Sequence, residues 1–257
     1  MRVPVRSGLM AAAILCAMAL PAVSQNTTPR AATGQPDLSG VWQINLPPFL
    51  LGGKVPANAP APAKAGPRPP RIALDPPYQA WAAEEVRKRR DNKLKDDPDA
   101  RCLLPGVPRI VNMPMPMQIV QTPQLVTVLY EAFHGFRVIP TDGAKHIDPD
   151  QLTSDGLYLG DSVGHWEGDT LVVDVTDFND VTWLDNGGGI HSKDLHVVER
   201  YRRPDHDTLL YQATLEDPKV FTKPWTVNWT LKLHPGERLL EYECLENNQD
   251  PPRLVGK

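Results

Sequence analysis

The sequence predicts a mainly β protein: an antiparallel barrel or sandwich with one helix and a Pro-rich extended segment. From Gln124 onward, apolar and polar residues alternate with a period of two in short segments rich in β-branched and aromatic residues. The turn sequences HWEGDT, RPDHDT and HPGER separate these segments, as hairpin connections do. Helical periodicity is confined to one stretch, so we expect a low helix content.

Residues 1–24 are predicted to be a secretory signal peptide. A basic start, MRVPVR, precedes the apolar run LMAAAILCAMAL, and the small residues of PAVS follow it. This is the three-part layout of such peptides. Cleavage after Ser24 would place the mature protein in the periplasm or outside the cell. No later segment approaches the ~20 apolar residues of a membrane-spanning helix, so no membrane span is expected.

The first half of the mature chain is predicted to contain one strand, one helix and extended segments. Residues 25–35 are predicted to be a flexible tether to a single β-rich domain, residues 36–257, whose first strand lies in PDLSGVWQINL. Residues 47–77 hold ten of the 28 prolines, so they lack the backbone donors for a sheet or helix. PPYQAWAAEEVRKRRDNKL predicts a helix around Tyr78–Lys93. The proline-punctuated CLLPGVPRIVNMPMPMQIVQTP should be extended again.

The second half is predicted to supply seven strands that join the Trp42 strand in the sheet. They are QLVTVLYEAF, GLYLGDSVGHWEGD, TLVVDVTDF, LHVVERYRR, DTLLYQATLED, WTVNWTLKLH and RLLEYECLEN. Short strands at this spacing, joined by turns, are typical of antiparallel barrels and sandwiches. The pattern does not distinguish between these two architectures.

Two resemblances extend the prediction. GDSVGHWEGDTLVVDV, FNDVTWLD, HSKDLHVVERYRR and KPWT are similar to strings in a family of exported bacterial β-rich proteins from soil and water organisms, over roughly Pro36–Asp250. This resemblance implies export and a single β-rich domain, and it carries over no catalytic residues. LSGVW resembles the opening of lipocalin-like (calycin) barrels, in which a G-x-W, here Gly40 and Trp42, plugs the closed end. The long Pro-rich insertion departs from that pattern.

The cysteine content and the charge indicate the cellular compartment and the kind of partner. Without the signal peptide, Cys102 and Cys244 remain, and an even pair in an oxidising compartment favours a disulfide. The net charge is −4, and the basic run at Arg87–Arg90 is bracketed by acidic residues. This balance predicts a solvated helix face and no nucleic-acid partner.

Glu199 is a candidate general acid. Alternation along LHVVERYRR places Leu195, Val197, Glu199 and Tyr201 on one face of a strand and His196 on the other. A carboxyl group on a mostly apolar face has its pKa raised by burial if it lacks a partner. The alternative is a Glu199 that pairs with an arginine such as Arg137 or Arg109 across the barrel.

The loop FNDVTWLDNGGGIHS is the strongest candidate for a functional loop. Its glycines permit positive φ, and five side chains could line one rim of the barrel mouth: Asn179, Asp180, Trp183, Asp185 and His191. Trp183 would stack on a ligand with Asn179 and Asp180 beside it, while Asp185 and His191 act as base and orienting group. The alternative is a tight turn whose side chains cap their own backbone.

Further site predictions concern metals, cofactors and Glu131. Glu131 follows an apolar strand and is a further ligand-binding candidate. A metal site built from His191, His196 and Asp185 is not favoured, because H-x-x-x-x-H is not a recurrent metal-binding spacing. No phosphate-binding or dinucleotide fingerprint is present, so no organic cofactor is expected.

These observations predict an exported barrel that handles a small apolar or aromatic molecule. Catalysis would be acid–base chemistry of the lyase, hydrolase or isomerase type, carried by Asp185, His191, His196 and Glu199. The alternative is a non-catalytic periplasmic protein that binds a small ligand. The sequence leaves open whether the protein is an enzyme, which molecule it handles and how many subunits it has.

Overall fold

The computed structural model describes residues 27–45, 74–152 and 156–246. The expected signal peptide and most of the Pro-rich segment, residues 46–73, lie outside these ranges. No helix within the described ranges is long and apolar enough to cross a membrane.

The described chain forms nine strands and one α-helix. The strands are β1 (Gly40–Ile44), β2 (Met117–Gln121), β3 (Leu125–Tyr130), β4 (Phe136–Pro140), β5 (Asp161–Glu167), β6 (Thr170–Thr176), β7 (His196–Arg202), β8 (Thr208–Glu216) and β9 (Trp225–Leu233). The helix, α1, spans Ala80–Asp91, inside the stretch predicted to be helical.

All nine strands belong to one antiparallel sheet in the order β4-β3-β2-β1-β9-β8-β7-β6-β5. The end strands β4 and β5 lie side by side and nearly close the sheet into a barrel. Gly164 of β5 permits this approach, because a Cβ there would lie 2.9 Å from Cγ2 of Ile139 on β4. The fold is therefore a barrel rather than a sandwich.

The first strand is anchored by a buried tryptophan. Trp42 is fully buried, and its indole N–H donates to the Leu38 carbonyl at 2.9 Å. The guanidinium of Arg203, just beyond β7, lies 4.9 Å from the centroid of the Trp42 ring. This cation–π contact links the first strand to the end of β7.

The barrel interior contains a buried ion pair. Glu199 on β7 is 0% exposed, and its two carboxylate oxygens accept from the Arg137 guanidinium of β4 at 3.0 and 2.5 Å. The hydroxyls of Tyr201 and Tyr211 donate to the same carboxylate at 3.0 and 2.8 Å. Arg137 also donates to Ser162 Oγ of β5 at 2.8 Å. Every polar atom of the pair has a partner, as burial of charge requires.

The buried ion pair raises the pKa of its own arginine and of the two tyrosines that bond to it. Burial opposes the charge on Arg137, but Glu199 outweighs it and raises the Arg137 pKa. Burial and the Glu199 charge both raise the pKa of Tyr201 and of Tyr211, so both phenols stay protonated and donate. Of the two arginines proposed as partners for Glu199, the structure selects Arg137. Arg109 instead binds Asp97 through two 2.9 Å hydrogen bonds.

One predicted strand is absent from the described residues, and two observed strands were not predicted. RLLEYECLEN forms no strand over residues 238–246: β1 and β8 already flank β9, and Leu240 and Leu245 are 72% and 70% exposed. Strand β2 was not predicted because the segment before it is rich in proline. The last of these prolines is Pro116, and the strand begins at the next residue. Strand β4 was missed because its pattern is inverted, with apolar Phe136 outside, 65% exposed, and charged Arg137 inside.

The predicted disulfide is confirmed: Cys102 and Cys244 are bonded across a sequence separation of 142. Replacing both cysteines by serine should lower the free energy of unfolding by up to about 4–5 kcal/mol, because the unfolded chain then loses a long closed loop. Urea unfolding of both proteins under the same oxidising conditions measures the difference. Non-reducing peptide mapping should find the two cysteine peptides joined, and two free thiols would contradict the pairing.

Arg137→Leu should lower the free energy of unfolding by about 3–5 kcal/mol, because it leaves the Glu199 carboxylate buried without its cation. Arg200→Leu is the matched control, since Arg200 pairs with Glu167 on the exposed outer surface and its loss should change stability little. Urea unfolding measures both variants. Similar losses in the two would show that the buried pair has no special weight.

Candidate functional site

Asp185 caps the backbone of its own loop. Its Oδ1 accepts from the backbone N–H groups of Gly187 and Gly189 at 2.8 and 2.9 Å, and its Oδ2 accepts from that of Leu74 at 2.6 Å. The side chain is buried and both of its oxygens are engaged. This geometry matches the turn interpretation of the loop, in which a carboxylate satisfies buried backbone donors.

His191 is buried in the same loop and bonds to its neighbours. Its Nδ1 lies 3.0 Å from the Ser192 carbonyl, which can only accept, so Nδ1 carries the proton. Its Nε2 then accepts from Thr182 Oγ1 at 2.7 Å. Burial lowers the His191 pKa, which keeps the imidazole neutral. Within the described chain no hydrogen bond joins His191 to Asp185.

The predicted ligand-binding residues do not form one open rim. Asn179 Oδ1 accepts from the Val181 backbone N–H at 3.1 Å, and Asp180 is exposed. Trp183 is 3% exposed and lies beneath the Arg89 guanidinium, 4.9 Å from its ring centroid. That position leaves little of the ring for stacking on a ligand.

The other predicted site residues lie elsewhere. Glu131 Oε2 accepts from the Leu240 backbone N–H at 2.7 Å and so fastens the C-terminal segment. Glu199 points into the barrel and His196 points out from the same strand, as alternation along β7 predicted. The proposed combination of Asp185, His191 and Glu199 is therefore not joined by any hydrogen bond among the described residues.

His196 instead belongs to a chain of imidazoles and carboxylates on the outer face, which we call the outer chain: Asp161, His146, Asp174 and His196. Asp161 Oδ2 lies 2.7 Å from His146 Nδ1, and His146 Nε2 lies 2.9 Å from Asp174 Oδ1. The second Asp174 oxygen lies 2.9 Å from His196 Nε2. Asp161 also accepts from the Ile147 backbone N–H at 3.0 Å. Three consecutive hydrogen bonds thus connect four titratable side chains.

The outer chain becomes more exposed toward His196. The Asp161 side chain is 11% exposed and that of His196 is 37% exposed. Because Asp174 accepts at Nε2 of His196, the neutral imidazole has its proton on Nε2 and a lone pair on Nδ1. Nδ1 makes no hydrogen bond with any residue that the structure describes. His196 therefore presents an unpaired nitrogen lone pair at the surface.

Hydrogen bonding also sets the charges of the outer chain. Burial opposes a charge on His146, but its hydrogen bonds to Asp161 and Asp174 outweigh burial and raise the His146 pKa. Burial likewise opposes the Asp174 carboxylate, yet hydrogen bonds from His196 and His146 prevail and lower the Asp174 pKa. Asp174 is thus ionised near neutral pH and can orient both rings.

Apolar side chains flank the centre of the outer chain. In the sheet register, Asp174 on β6 lies opposite Val163 on β5 and Val198 on β7. Both valines point outward and are half-buried. The centre of the outer chain, Asp174, therefore lies beside a small apolar surface.

The sequence patterns pointed to His196 but not to its hydrogen-bond partners. Asp161 and Asp174 lie on two strands joined by the predicted HWEGDT hairpin, so the turn alone could have placed them near each other. His146 lies in the connection between β4 and β5, and no periodic signal marks its position.

One group of possible metal ligands lies at the buried end of the outer chain. His146, Asp161 and Asp177 each place a ligand atom within 4.8 Å of the others. His146 Nδ1 already bonds to Asp161, so an ion would have to displace that bond. The pair considered from sequence is not assembled, because His191 is buried against Thr182 while His196 faces outward.

No protein-family model, curated protein or solved structure matches this chain. The resemblance to exported β-rich proteins and to lipocalin-like barrels therefore stays a prediction. The proposed function therefore rests on the geometry of the chain itself.

Asp185→Ala should lower the free energy of unfolding by about 1–3 kcal/mol, because three backbone N–H groups lose their acceptor. Asp180→Ala is the matched control, an exposed aspartate of the same loop whose loss should have little effect. Thermal and urea unfolding measure both variants. An Asp185→Ala protein as stable as the wild type would contradict the capping role.

Proposed function

We propose that the protein is an exported barrel that acts on a small molecule by acid–base chemistry at its outer face. His196 is the general base, and Asp174 orients it. The observation that carries the proposal is the hydrogen bond of His196 Nε2 to Asp174, which leaves Nδ1 as a surface-exposed acceptor. A carboxylate that fixes the tautomer of a histidine base in this way is a recurrent catalytic device.

The geometry suggests how a proton would move. Nδ1 of His196 takes a proton from a C–H or O–H group of the bound molecule, or from a water that attacks it. The resulting imidazolium is stabilised by the ionised Asp174, which His146 holds from its other oxygen. The proton returns to the product or to solvent and regenerates the base. This sequence suits lyase, isomerase or hydrolase chemistry and needs no organic cofactor.

The side chains beside the outer chain indicate the chemical class of the molecule on which the protein acts. Val163 and Val198 flank Asp174 and offer contacts to an apolar part of a substrate. Trp183, the stacking wall expected from sequence, is buried, so the proposal does not depend on it. Export is supported by the Cys102–Cys244 disulfide, since such bonds persist in oxidising compartments.

The second candidate function is non-catalytic binding of a small ligand. It is favoured by the openness of the outer chain: Asp174 and His196 are 39% and 37% exposed. Catalytic sites usually exclude water more completely than this. Turnover of a probe that reports on a base distinguishes the two functions.

The base can be tested with 5-nitrobenzisoxazole, a small aromatic molecule whose isoxazole ring opens when a base removes the proton on C3. The wild type should open it faster than free imidazole at equal concentration. His196→Gln should lower the rate at least about tenfold, since a positioned base contributes roughly 10²–10⁴. Asp174→Asn should also lower the rate, because the tautomer is no longer fixed.

His165→Gln is the matched control, an exposed histidine of β5 on the same outer face that pairs with Glu167. It should keep the wild-type rate. A wild type no faster than free imidazole, or equal rates in His196→Gln and wild type, would refute the catalytic proposal. Binding of a ligand without turnover would then favour the second candidate.

A further inference from the structure

A polar groove crosses the outer face of the barrel over β6 to β9, away from the outer chain. Its volume is about 400 Å³, within the range of small-molecule sites. Its lining includes Arg200, Arg202, Leu210, Gln212 and Asn228. Arg200 follows His196 by four residues on β7, about 13 Å at ~3.3 Å per residue. The groove is thus a separate feature of the same face.

The lining of the groove is rich in donors and contains no carboxylate. This contrasts with the net charge of −4 on the whole chain. Arg200 is partly neutralised by Glu167, to which it donates at 2.7 and 2.9 Å. Arg202 is exposed and makes no hydrogen bond or ion pair with the described residues. The groove therefore has an excess positive charge carried by Arg202.

A hydrogen bond between the Gln212 and Asn228 amides leaves the NH₂ group of Asn228 free to donate. Gln212 Nε2 donates to Asn228 Oδ1 at 2.9 Å, so the Asn228 amide is oriented with its NH₂ group free to donate. Leu210 adds apolar surface on the outer face, whereas the Trp229 ring stacks on buried Tyr211 on the inner side of the sheet, with ring centroids 5.4 Å apart. A cation, an oriented amide and one apolar side chain thus lie within one groove.

We propose that this groove binds a small organic carboxylate. The Arg202 guanidinium would hold the carboxylate through two parallel hydrogen bonds, the arrangement in which arginine recognises such groups most strongly. The Asn228 amide supplies a further donor, and the organic part lies against Leu210. This inference goes beyond the proposed function, because it requires binding and not turnover.

The probe pair is phenylacetate and phenylacetamide, which have similar shape and differ in charge. Titration is followed in ¹H–¹⁵N NMR spectra through the side-chain amides of Gln212 and Asn228. Phenylacetate should shift these signals with a Kd of about 1 mM or lower, and phenylacetamide should bind at least tenfold more weakly. Arg202→Gln should weaken phenylacetate binding at least tenfold.

Arg87→Gln is the matched control, an exposed arginine of α1 outside the groove that should leave binding unchanged. Equal binding of phenylacetate and phenylacetamide would overturn the proposal, and so would unaltered binding in Arg202→Gln. Competition by sulfate at the same concentration would show a site for any anion and would also overturn it. Because no chemistry is measured, loss of the His196 proposal would leave this result standing.

Discussion

The ion pair between Arg137 and Glu199 is the constraint on which the barrel depends. Burying two charges costs several kcal/mol for each ion unless their partners restore the lost hydration. Here two tyrosine hydroxyls and Ser162 complete the set of partners. Arg137 lies on one end strand of the sheet, Ser162 lies on the other, and Glu199 lies two strands further in. The pair therefore joins strands where the backbone ladder of the sheet ends.

The buried ion pair removes Glu199 from the candidate catalytic residues. Glu199 was a reasonable candidate acid from sequence, because it lies among apolar residues on an inward face. In the structure its carboxylate is saturated by hydrogen bonds and paired with the Arg137 guanidinium. Open titratable groups lie outside, where the sheet register aligns the outward positions of β5, β6 and β7. Asp161, Asp174 and His196 meet there, and His146 completes the outer chain from a connection.

Local patterns predicted much of the fold. Alternation identified β7 and assigned Glu199 and His196 to opposite faces, and helix periodicity located α1. Strand β4 violates the pattern because Arg137 is turned inward to satisfy Glu199, a partner 62 residues away. The ion pair with a distant residue thus decides which side chain of β4 points inward. The alternation of apolar and polar residues along β4 does not show this pairing.

The candidate site was harder to predict for the same reason. Asp185 and His191 look catalytic as residue types, yet their roles depend on which backbone groups need partners, and this is fixed only after folding. His196 was identified, but its role depends on Asp174, 22 residues earlier, and on His146 beyond it. Residue chemistry suggests candidates, and strand register decides which of them meet.

The tautomer of His196 tests the account most directly. Two-bond ¹⁵N–¹H correlation spectra of protein labelled with ¹⁵N-histidine, with His196→Gln to assign the signals, report which ring nitrogen carries the proton. We expect neutral His196 to be protonated at Nε2, toward Asp174, with Nδ1 unprotonated. We also expect Asp174→Asn to disturb this preference. A neutral His196 protonated at Nδ1 in the wild type would contradict the central claim, because the surface nitrogen would then not be a base.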